Sequence, residues 1–326
     1  MRGWTQLALS LVTLLPAVAW GESVEEALAT SEAAFLNGQH DEAAAVLESR
    51  IARAEPGDDL VQLHGTLGNL YLEMGRSEQA LAHFDWLVAK QPDHALAHYK
   101  RGETLERSSR AREAIEAYTN AGKLGADEAE IRSRIGFNYM LIASSPMTAD
   151  AERVRYTRLA RGALKRAIEL DPQNQSALGN LADIVFNQGE LELALEYYLR
   201  MDELEPSHPT TLARIGSTYL RMGQCTPALG YLLRAAKIVG EVEPASQSAA
   251  WINRDVDVFA RVRAAECLIQ LKRPAEARSE IARVLEVTNC ENCETSSREV
   301  ARSKSKAEEL LQQLDATAPA NAQTAH

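Results

Sequence analysis

The feature of the sequence that most constrains its fold is an internal repeat with a period of about 34 residues. From Leu67 onward, small and large residues stand at fixed spacings, at Gly68, Tyr71, Gly75, Ala80 and Phe84. The same spacings recur from Leu212 onward, at Gly216, Tyr219, Gly223, Ala228 and Leu232. A glycine between two runs of helical periodicity predicts two helices joined by a tight turn. Such a pair cannot bury its apolar face alone, so successive pairs are expected to stack.

The pattern resembles the tetratricopeptide repeat family, whose unit is a helix-turn-helix. In the register of that family, repeats begin near Val24, Val61, Ala95, Ala129, Gln175, Pro209 and Val258. The resemblance implies an all-α fold, a right-handed solenoid of about seven helical hairpins with a C-terminal capping helix. Because a helix interior excludes proline, the second helices are expected to end just before Pro92, Pro172 and Pro206.

The repeats and their flanks divide the chain into consecutive segments. These are a signal peptide (1–21), a degenerate first repeat (22–57), repeats with an insertion at about 142–154 (58–240), an insertion between repeats (241–257), the last repeat (258–287), a C-x-x-C turn with a capping helix (288–315) and a disordered tail (316–326).

The N-terminal residues predict export from the cytoplasm. Arg2 precedes an apolar run from Trp4 to Trp20, with small residues where a signal peptidase would cut, near residues 19–21. The alternative is an uncleaved anchor. After cleavage no segment reaches the length of a membrane span, and the expected location is a bacterial periplasm. Secretion, or membrane association through a partner, stays open.

Composition and motifs argue against two broad functions. The formal net charge is −11 and no strongly basic segment occurs, so nucleic acid is not an expected partner. Nucleotide-binding and serine-hydrolase motifs do not occur, so an enzyme is not expected. His64 and His98 occupy the fourth positions of their repeats, where a large residue packs. We therefore predict no metal site and no cofactor.

The resemblance places a partner site on the first helices of the repeats, which line a groove in this family. The candidate partner-binding residues are Asn69, Lys100, Arg107, Arg134, Phe137, Asn180, Asn187, Arg214, Arg221 and Arg263. Four of them (Lys100, Arg134, Arg214 and Arg263) predict a basic row that would suit an acidic segment of the partner. The alternative is a solvated face whose basic side chains pair with neighbouring carboxylates.

Four cysteines in an exported chain predict disulfides. Cys225 begins the second helix of the sixth repeat, and Cys267 lies late in the next helix. Since consecutive antiparallel helices bring those positions together, Cys225–Cys267 is the preferred bridge, and Cys290 would pair with Cys293. A reactive thiol pair or half of a metal site is the alternative for the C-x-x-C motif.

The sequence therefore predicts a non-catalytic scaffold or adaptor of the cell envelope that binds a protein partner in its groove. Two alternatives remain: a redox- or metal-handling accessory protein that uses the C-x-x-C pair, and a regulatory subunit of an envelope enzyme complex.

Overall fold

The structure, a computed structural model, describes residues 23–54, 59–241, 247–287 and 298–316. These residues form fifteen α-helices and, within those ranges, no strand. The chain divides into two compact units, Met1–Ala126 and Asp127–His326, here called the N-terminal and C-terminal units. The all-α fold built from helical hairpins is confirmed, while the number of repeats stays a prediction.

The described part of the N-terminal unit contains six helices in three antiparallel pairs. They are α1 (Val24–Leu36), α2 (His40–Ala52), α3 (Leu60–Glu73), α4 (Ser77–Lys90), α5 (Ala95–Arg107) and α6 (Ala111–Lys123). Helices α2 and α4 also pack on the first helix of the pair that follows them, so one core runs from α1 to α5.

The described part of the C-terminal unit contains four pairs and a final helix. They are α7 (Glu128–Ser144), α8 (Asp150–Leu170), α9 (Gln175–Gln188), α10 (Leu191–Leu204), α11 (Pro209–Arg221), α12 (Cys225–Glu241), α13 (Gln247–Gln270), α14 (Pro274–Glu286) and α15 (Arg298–Ala316). Helix α13 continues through the predicted boundary at residue 258. Helices α7 and α8 have 17 and 21 residues, and the connection between them lies within the segment predicted to be an insertion, 142–154.

Local sequence explains where the helices of the C-terminal unit begin and end. The Asn174 side chain accepts a hydrogen bond from the Ala177 backbone N–H and caps α9. Helix α9 ends at Gly189, whose φ of 84° lies in the left-handed region that glycine adopts without strain. Pro209 occupies the first turn of α11, where its missing N–H costs nothing. The predicted stops are confirmed, because α4, α8 and α10 end before their prolines.

Close contact between the two helices of a hairpin depends on glycine. A Cβ added to Gly216 on α11 would lie 2.6 Å from Leu232 Cγ and 3.1 Å from the Ala228 carbonyl oxygen of α12. Gly102 on α5 meets the Tyr118 ring of α6 in the same way, at 2.9 Å. The small and large residues that recur in the sequence are therefore the two sides of each hairpin contact.

The capping helix predicted from the sequence is present as α15. It packs on α13 and α14 through a stripe at helical spacing, made of Val300, Ser303, Ala307, Leu310 and Leu314. The C-x-x-C motif, the signal peptide and the tail beyond residue 316 lie outside the described residues.

Candidate functional site

A cavity of about 370 Å³ opens in the C-terminal unit between α9, α11 and α13. We call it the α9–α11–α13 cavity. Helix α9 lines it with Asp183, Phe186 and Asn187, which are spaced by three and one residues and so share one helix face. The remaining lining residues are Tyr198 of α10, Thr210, Ala213, Arg214 and Ser217 of α11, Asp255, Val256 and Phe259 of α13, and Glu299 of α15.

A second cavity, of about 320 Å³, adjoins the first between α9 and α11. Asp183, Thr210 and Arg214 line both cavities, so these three residues stand where the two meet. The second cavity is more polar, because Gln175, Asn180 and other hydrophilic groups surround it. Together the cavities give the first helices of this unit a continuous indented surface.

The boundary between the cavities is a network of three polar side chains. Arg214 and the Tyr198 hydroxyl both donate hydrogen bonds to the same oxygen, Asp183 Oδ1. The Arg214 guanidinium also lies 5.9 Å from the centre of the Tyr198 ring. Burial raises the pKa of Tyr198, so its hydroxyl stays protonated and keeps donating. Asp183 is therefore already hydrogen-bonded to two side chains of the protein itself.

The apolar wall of the cavity carries two aromatic rings that are already held in place. The Arg221 guanidinium lies 4.4 Å from the centre of the Phe186 ring and donates a 2.7 Å hydrogen bond to the Phe186 carbonyl oxygen. The Arg263 guanidinium lies 5.5 Å from the Phe259 ring centre and donates to Glu266 Oε2 at 2.9 Å. Arginine stacking of this kind fixes both rings.

Each residue of the predicted basic row has an acidic neighbour. Lys100 pairs with Glu103 at 2.9 Å in the N-terminal unit, and Arg134 pairs with Glu130 at 2.7 Å in the C-terminal unit. Arg214 and Arg263 pair with Asp183 and Glu266. This geometry matches the alternative to a basic binding row, in which the basic side chains pair with nearby carboxylates. A binding role for this row stays a prediction.

The other predicted groove residues are distributed over both units. In the N-terminal unit, Asn69 and Arg107 are exposed on α3 and α5. In the C-terminal unit, Phe137 is half-buried on α7, Asn187 lines the first cavity and Asn180 the second.

Sequence reasoning missed several lining residues, although a signal for them was present. Thr210 and Phe259 stand at the second position of their repeats, Ala213 at the fifth and Phe186 at the twelfth. At about 100° per residue, these positions share a face with the sixth, ninth and thirteenth. If the repeat register had been extended to the second, fifth and twelfth positions, the sequence would have predicted these lining residues. Glu299 could not be predicted in this way, because it lies on α15, outside the repeats.

The structure brings Cys225 and Cys267 together, as the sequence predicted. Both are buried in the core formed by α11 to α15, and both thiols are free. Cys225 Sγ donates a 3.0 Å hydrogen bond to Gln270 Oε1, and Cys267 contacts Cys225. Burial raises the pKa of the Cys267 thiol, so this thiol is protonated at neutral pH. Whether the pair is oxidised stays a prediction, and Cys290 and Cys293 lie outside the described residues.

The fold and the first-helix surface define a class, the helical-repeat proteins. Residues 66–128 and 150–209 match the tetratricopeptide repeat family model. These two segments make up less than half of the chain, and in them the chain is similar to tetratricopeptide repeat proteins. Such a fold is typical of protein–protein interaction scaffolds.

Solved structures of other repeat proteins resemble this one. A tetratricopeptide repeat protein from Parabacteroides merdae has a TM-score of 0.59 at 13% identity, covering 87% of this chain and 98% of that one. The C-terminal part of a repeat protein from Cytophaga hutchinsonii gives 0.57 at 12% identity, covering 85% and 98%. PilW, a type IV pilus biogenesis factor, gives 0.55 at 18% identity, covering 76% and 99%. At these identities the likeness is one of fold alone. No curated protein matches the chain in sequence.

Proposed function

We propose that the chain is a non-catalytic scaffold of the cell envelope that binds an extended segment of a protein partner. The site is the surface of α9, α11 and α13 in the C-terminal unit. The observation that carries the proposal is the pair of adjoining cavities on this surface. In tetratricopeptide repeat proteins, partners bind to the surface that the first helices of the repeats form. The volumes of the two cavities, about 370 and 320 Å³, each fall within the usual range of ligand pockets.

Two side-chain amides on α9 support an extended ligand. Asn180 and Asn187 lie on the cavity surfaces, and within the described part of the chain neither amide has a side-chain hydrogen-bond partner. They are seven residues apart, which is two helical turns or about 10.5 Å along α9. Three residues of extended chain span about 10 Å. Since an amide both donates and accepts, each could bond one peptide unit of a segment lying along α9.

The proposal includes the absence of catalysis, because the central carboxylate of this surface is already hydrogen-bonded within the protein. Asp183 is the carboxylate at the centre of the surface, and its oxygen already accepts from Arg214 and Tyr198. A general base needs a carboxylate that is free to accept a proton from substrate. The network therefore suits a rigid binding surface better than acid–base chemistry.

The envelope location rests on the N-terminal sequence. None of the helices in the described ranges has the length and hydropathy of a membrane span. We expect a full-length chain expressed in a Gram-negative host to be recovered from the periplasm, with a mature N-terminus near residues 20–22. Recovery of uncleaved chain from the cytoplasm would contradict this part of the proposal.

The binding proposal is tested by blocking the surface with one bulky residue. Thr210 is half-buried and lines both cavities, so Thr210→Trp places an indole where the ligand backbone would lie. Thr226→Trp is the matched control, because Thr226 is exposed on α12, outside both cavities. Displayed random decapeptides selected on the wild-type chain should lose at least about tenfold in affinity for Thr210→Trp.

The control variant shows whether a loss of binding is specific to the cavity surface. The selected peptides should bind Thr226→Trp as they bind the wild type. If both variants bind equally well, or if the wild type selects no peptide, the surface is not a peptide site.

A further inference from the structure

We propose that the exposed face of α8 binds an anionic phospholipid surface. This face is separate from the peptide site, because α8 is the second helix of its hairpin and none of its residues lines either cavity. The inference therefore goes beyond the proposed function and does not depend on the peptide site.

The first support is a concentration of positive charge that the net charge of −11 conceals. Residues 153–166 contain six basic residues and no acidic one, which departs from the expectation that no strongly basic segment occurs. The six are Arg153, Arg155, Arg158, Arg161, Lys165 and Arg166. With its three acidic residues included, α8 carries a formal charge of +3. Local positive charge of this kind attracts anionic surfaces.

Part of this charge stands in a row on the outer side of α8. The helix packs inward through three fully buried residues, Ala160, Leu164 and Ala167. Arg155, Arg158 and Lys165 are exposed on the opposite side, in a row about 15 Å long. The row is therefore presented to the surroundings of the protein.

The two arginines of the row are available to a ligand. Within the described ranges, neither Arg155 nor Arg158 forms an ion pair, and Arg155 lies 5.9 Å from the centre of the neighbouring Tyr156 ring. By contrast, Arg161 on the flank of the helix donates two hydrogen bonds to Glu190. Arg155 and Arg158 can therefore each bond a phosphate group.

The second support is a pair of exposed apolar side chains beside the row. Helix α8 has 21 residues and α4 and α10 have 14, yet all three end five residues before the next helix begins. The additional residues of α8 are therefore its first ones, 150–156. Val154 lies among them and is 71% exposed, and Met147, in the connection just before α8, is 95% exposed. Val154 precedes Arg158 by one helical turn, so the two lie side by side.

A lipid surface uses the cations and the apolar side chains together. The headgroup region offers phosphates to arginine and, directly beneath them, acyl chains to methionine and valine. An acidic protein segment would pair with the arginines but would leave Met147 and Val154 in water. The negative charge on the rest of the chain is screened beyond about 8 Å at physiological ionic strength, so it does not prevent the contact.

The experiment measures co-sedimentation of the mature chain with vesicles of one third phosphatidylglycerol and two thirds phosphatidylcholine. The wild type should bind these vesicles and should not bind vesicles of phosphatidylcholine alone. Arg155→Glu/Arg158→Glu should weaken binding at least about tenfold, because each substitution replaces an attraction by a repulsion. Arg234→Glu/Lys237→Glu on α12 is the matched control, with the same spacing, exposure and change of net charge, and should bind as the wild type does.

A second pair of variants tests the apolar contribution. Met147→Ser/Val154→Ser keeps the charge of α8 and should weaken binding at least about threefold, since fewer apolar groups enter the bilayer. Leu36→Ser is the matched control, because Leu36 is 77% exposed on α1 in the N-terminal unit, and it should leave binding unchanged. Circular dichroism of each variant confirms that the fold is kept.

Several outcomes would overturn the proposal. They are no binding to the anionic vesicles, equal binding to phosphatidylcholine alone, equal binding by Arg155→Glu/Arg158→Glu and its α12 control, and an unchanged affinity of Met147→Ser/Val154→Ser. A wild type that ignores the vesicles but binds polyglutamate through Arg155 and Arg158 would identify an acidic protein segment as the ligand, and would overturn it too. None of these results bears on the peptide site, which Thr210→Trp tests separately.

Discussion

Single residues decide which groups on the first-helix surface are available to a ligand. The sequence placed Arg214 and Arg263 on the first-helix surface, but whether each guanidinium is available depends on its ion pair, with Asp183 of the preceding repeat for Arg214 and with Glu266, three residues along the same helix, for Arg263. Such pairing follows from side-chain rotamers, which a repeat register does not specify. The glycine contacts were easier to predict, because a side chain would not fit where two helices approach this closely, so a glycine at a fixed repeat position indicates the contact.

The contact at Gly216 predicts a loss of stability on adding a methyl group. Gly216→Ala would push its Cβ against Leu232 and the α12 backbone, and should lower the free energy of unfolding by about 1–3 kcal/mol. Gly230→Ala on α12 is the control, because open space surrounds that position. Helix propensity should then raise stability by about 0.5–1 kcal/mol. Urea unfolding measures both, and equal stability of the two variants would contradict the close contact.

A histidine pair in the N-terminal unit, with His64 buried and His83 half-buried, predicts a dependence of stability on pH. His64 Nδ1 and His83 Nδ1 are 2.9 Å apart, and the His64 ring stacks on Trp86. Burial, with a smaller contribution from His83, lowers the pKa of His64 from 6.5 to about 4, and burial also lowers the pKa of His83. The unfolded chain therefore binds more protons between these values, so stability must fall as the pH drops from about 6.5 towards 4.

The expected size is about 1 kcal/mol less stability at pH 5 than at pH 7 from His64, allowing for solvent screening. Denaturant unfolding at the two pH values measures it. His64→Phe should reduce the difference, whereas His208→Ala, at an exposed position of the other unit, should preserve it. An unchanged difference in His64→Phe would show that other groups cause it.

At the scale of helices, the sequence predicted most elements, because the helical periodicity stops at the same places where glycine and proline occur. Proline and glycine mark helix ends, and the stripe on α15 predicted its packing. The sequence did not indicate that α13 begins as early as Gln247, because the segment before residue 258 carries no repeat spacing. Nor did it place Glu299 beside the cavity, since that depends on how α15 lies across α13.

Helix α15 is predicted to stabilise the C-terminal unit through its apolar stripe. Leu310 is only 5% exposed and belongs to the core shared by α11 to α15, so Leu310→Ala should cost about 2–4 kcal/mol. Gln312→Ala, on the exposed face of the same helix, should be neutral within about 0.5 kcal/mol. Equal unfolding midpoints in urea for the two variants would show that α15 is not part of the core.

The pairing of α12 with α13 predicts a disulfide in the exported chain. Cys225 and Cys267 are neighbours, so oxidation should link them and raise the free energy of unfolding by about 3–4 kcal/mol. Non-reducing peptide mapping of periplasmic protein measures the link, and Cys267→Ser should abolish it together with the stabilisation. Recovery of both cysteines as alkylatable thiols would contradict the bridge.

For the molecule as a whole, the repeat register predicted the fold class, which is confirmed, whereas the first-helix surface as the place where a partner binds stays a prediction. It was not enough to predict which part of that surface is indented. The α9–α11–α13 cavity lies where Ala213 and other small side chains of α11 stand between larger ones on α9 and α13, which requires three helices to be in place. The chemistry of the partner is likewise a property of residues from several helices.

The central claim, that α9, α11 and α13 form a peptide site, is tested most directly by hydrogen–deuterium exchange on the mature chain. Exchange is measured with and without a decapeptide selected on the wild type. The account predicts slower exchange in α9, in α11 and in the α13 segment around Asp255–Phe259, with α10, α12 and the N-terminal unit unchanged. Protection confined to other helices, or no protection at saturating peptide, would contradict it.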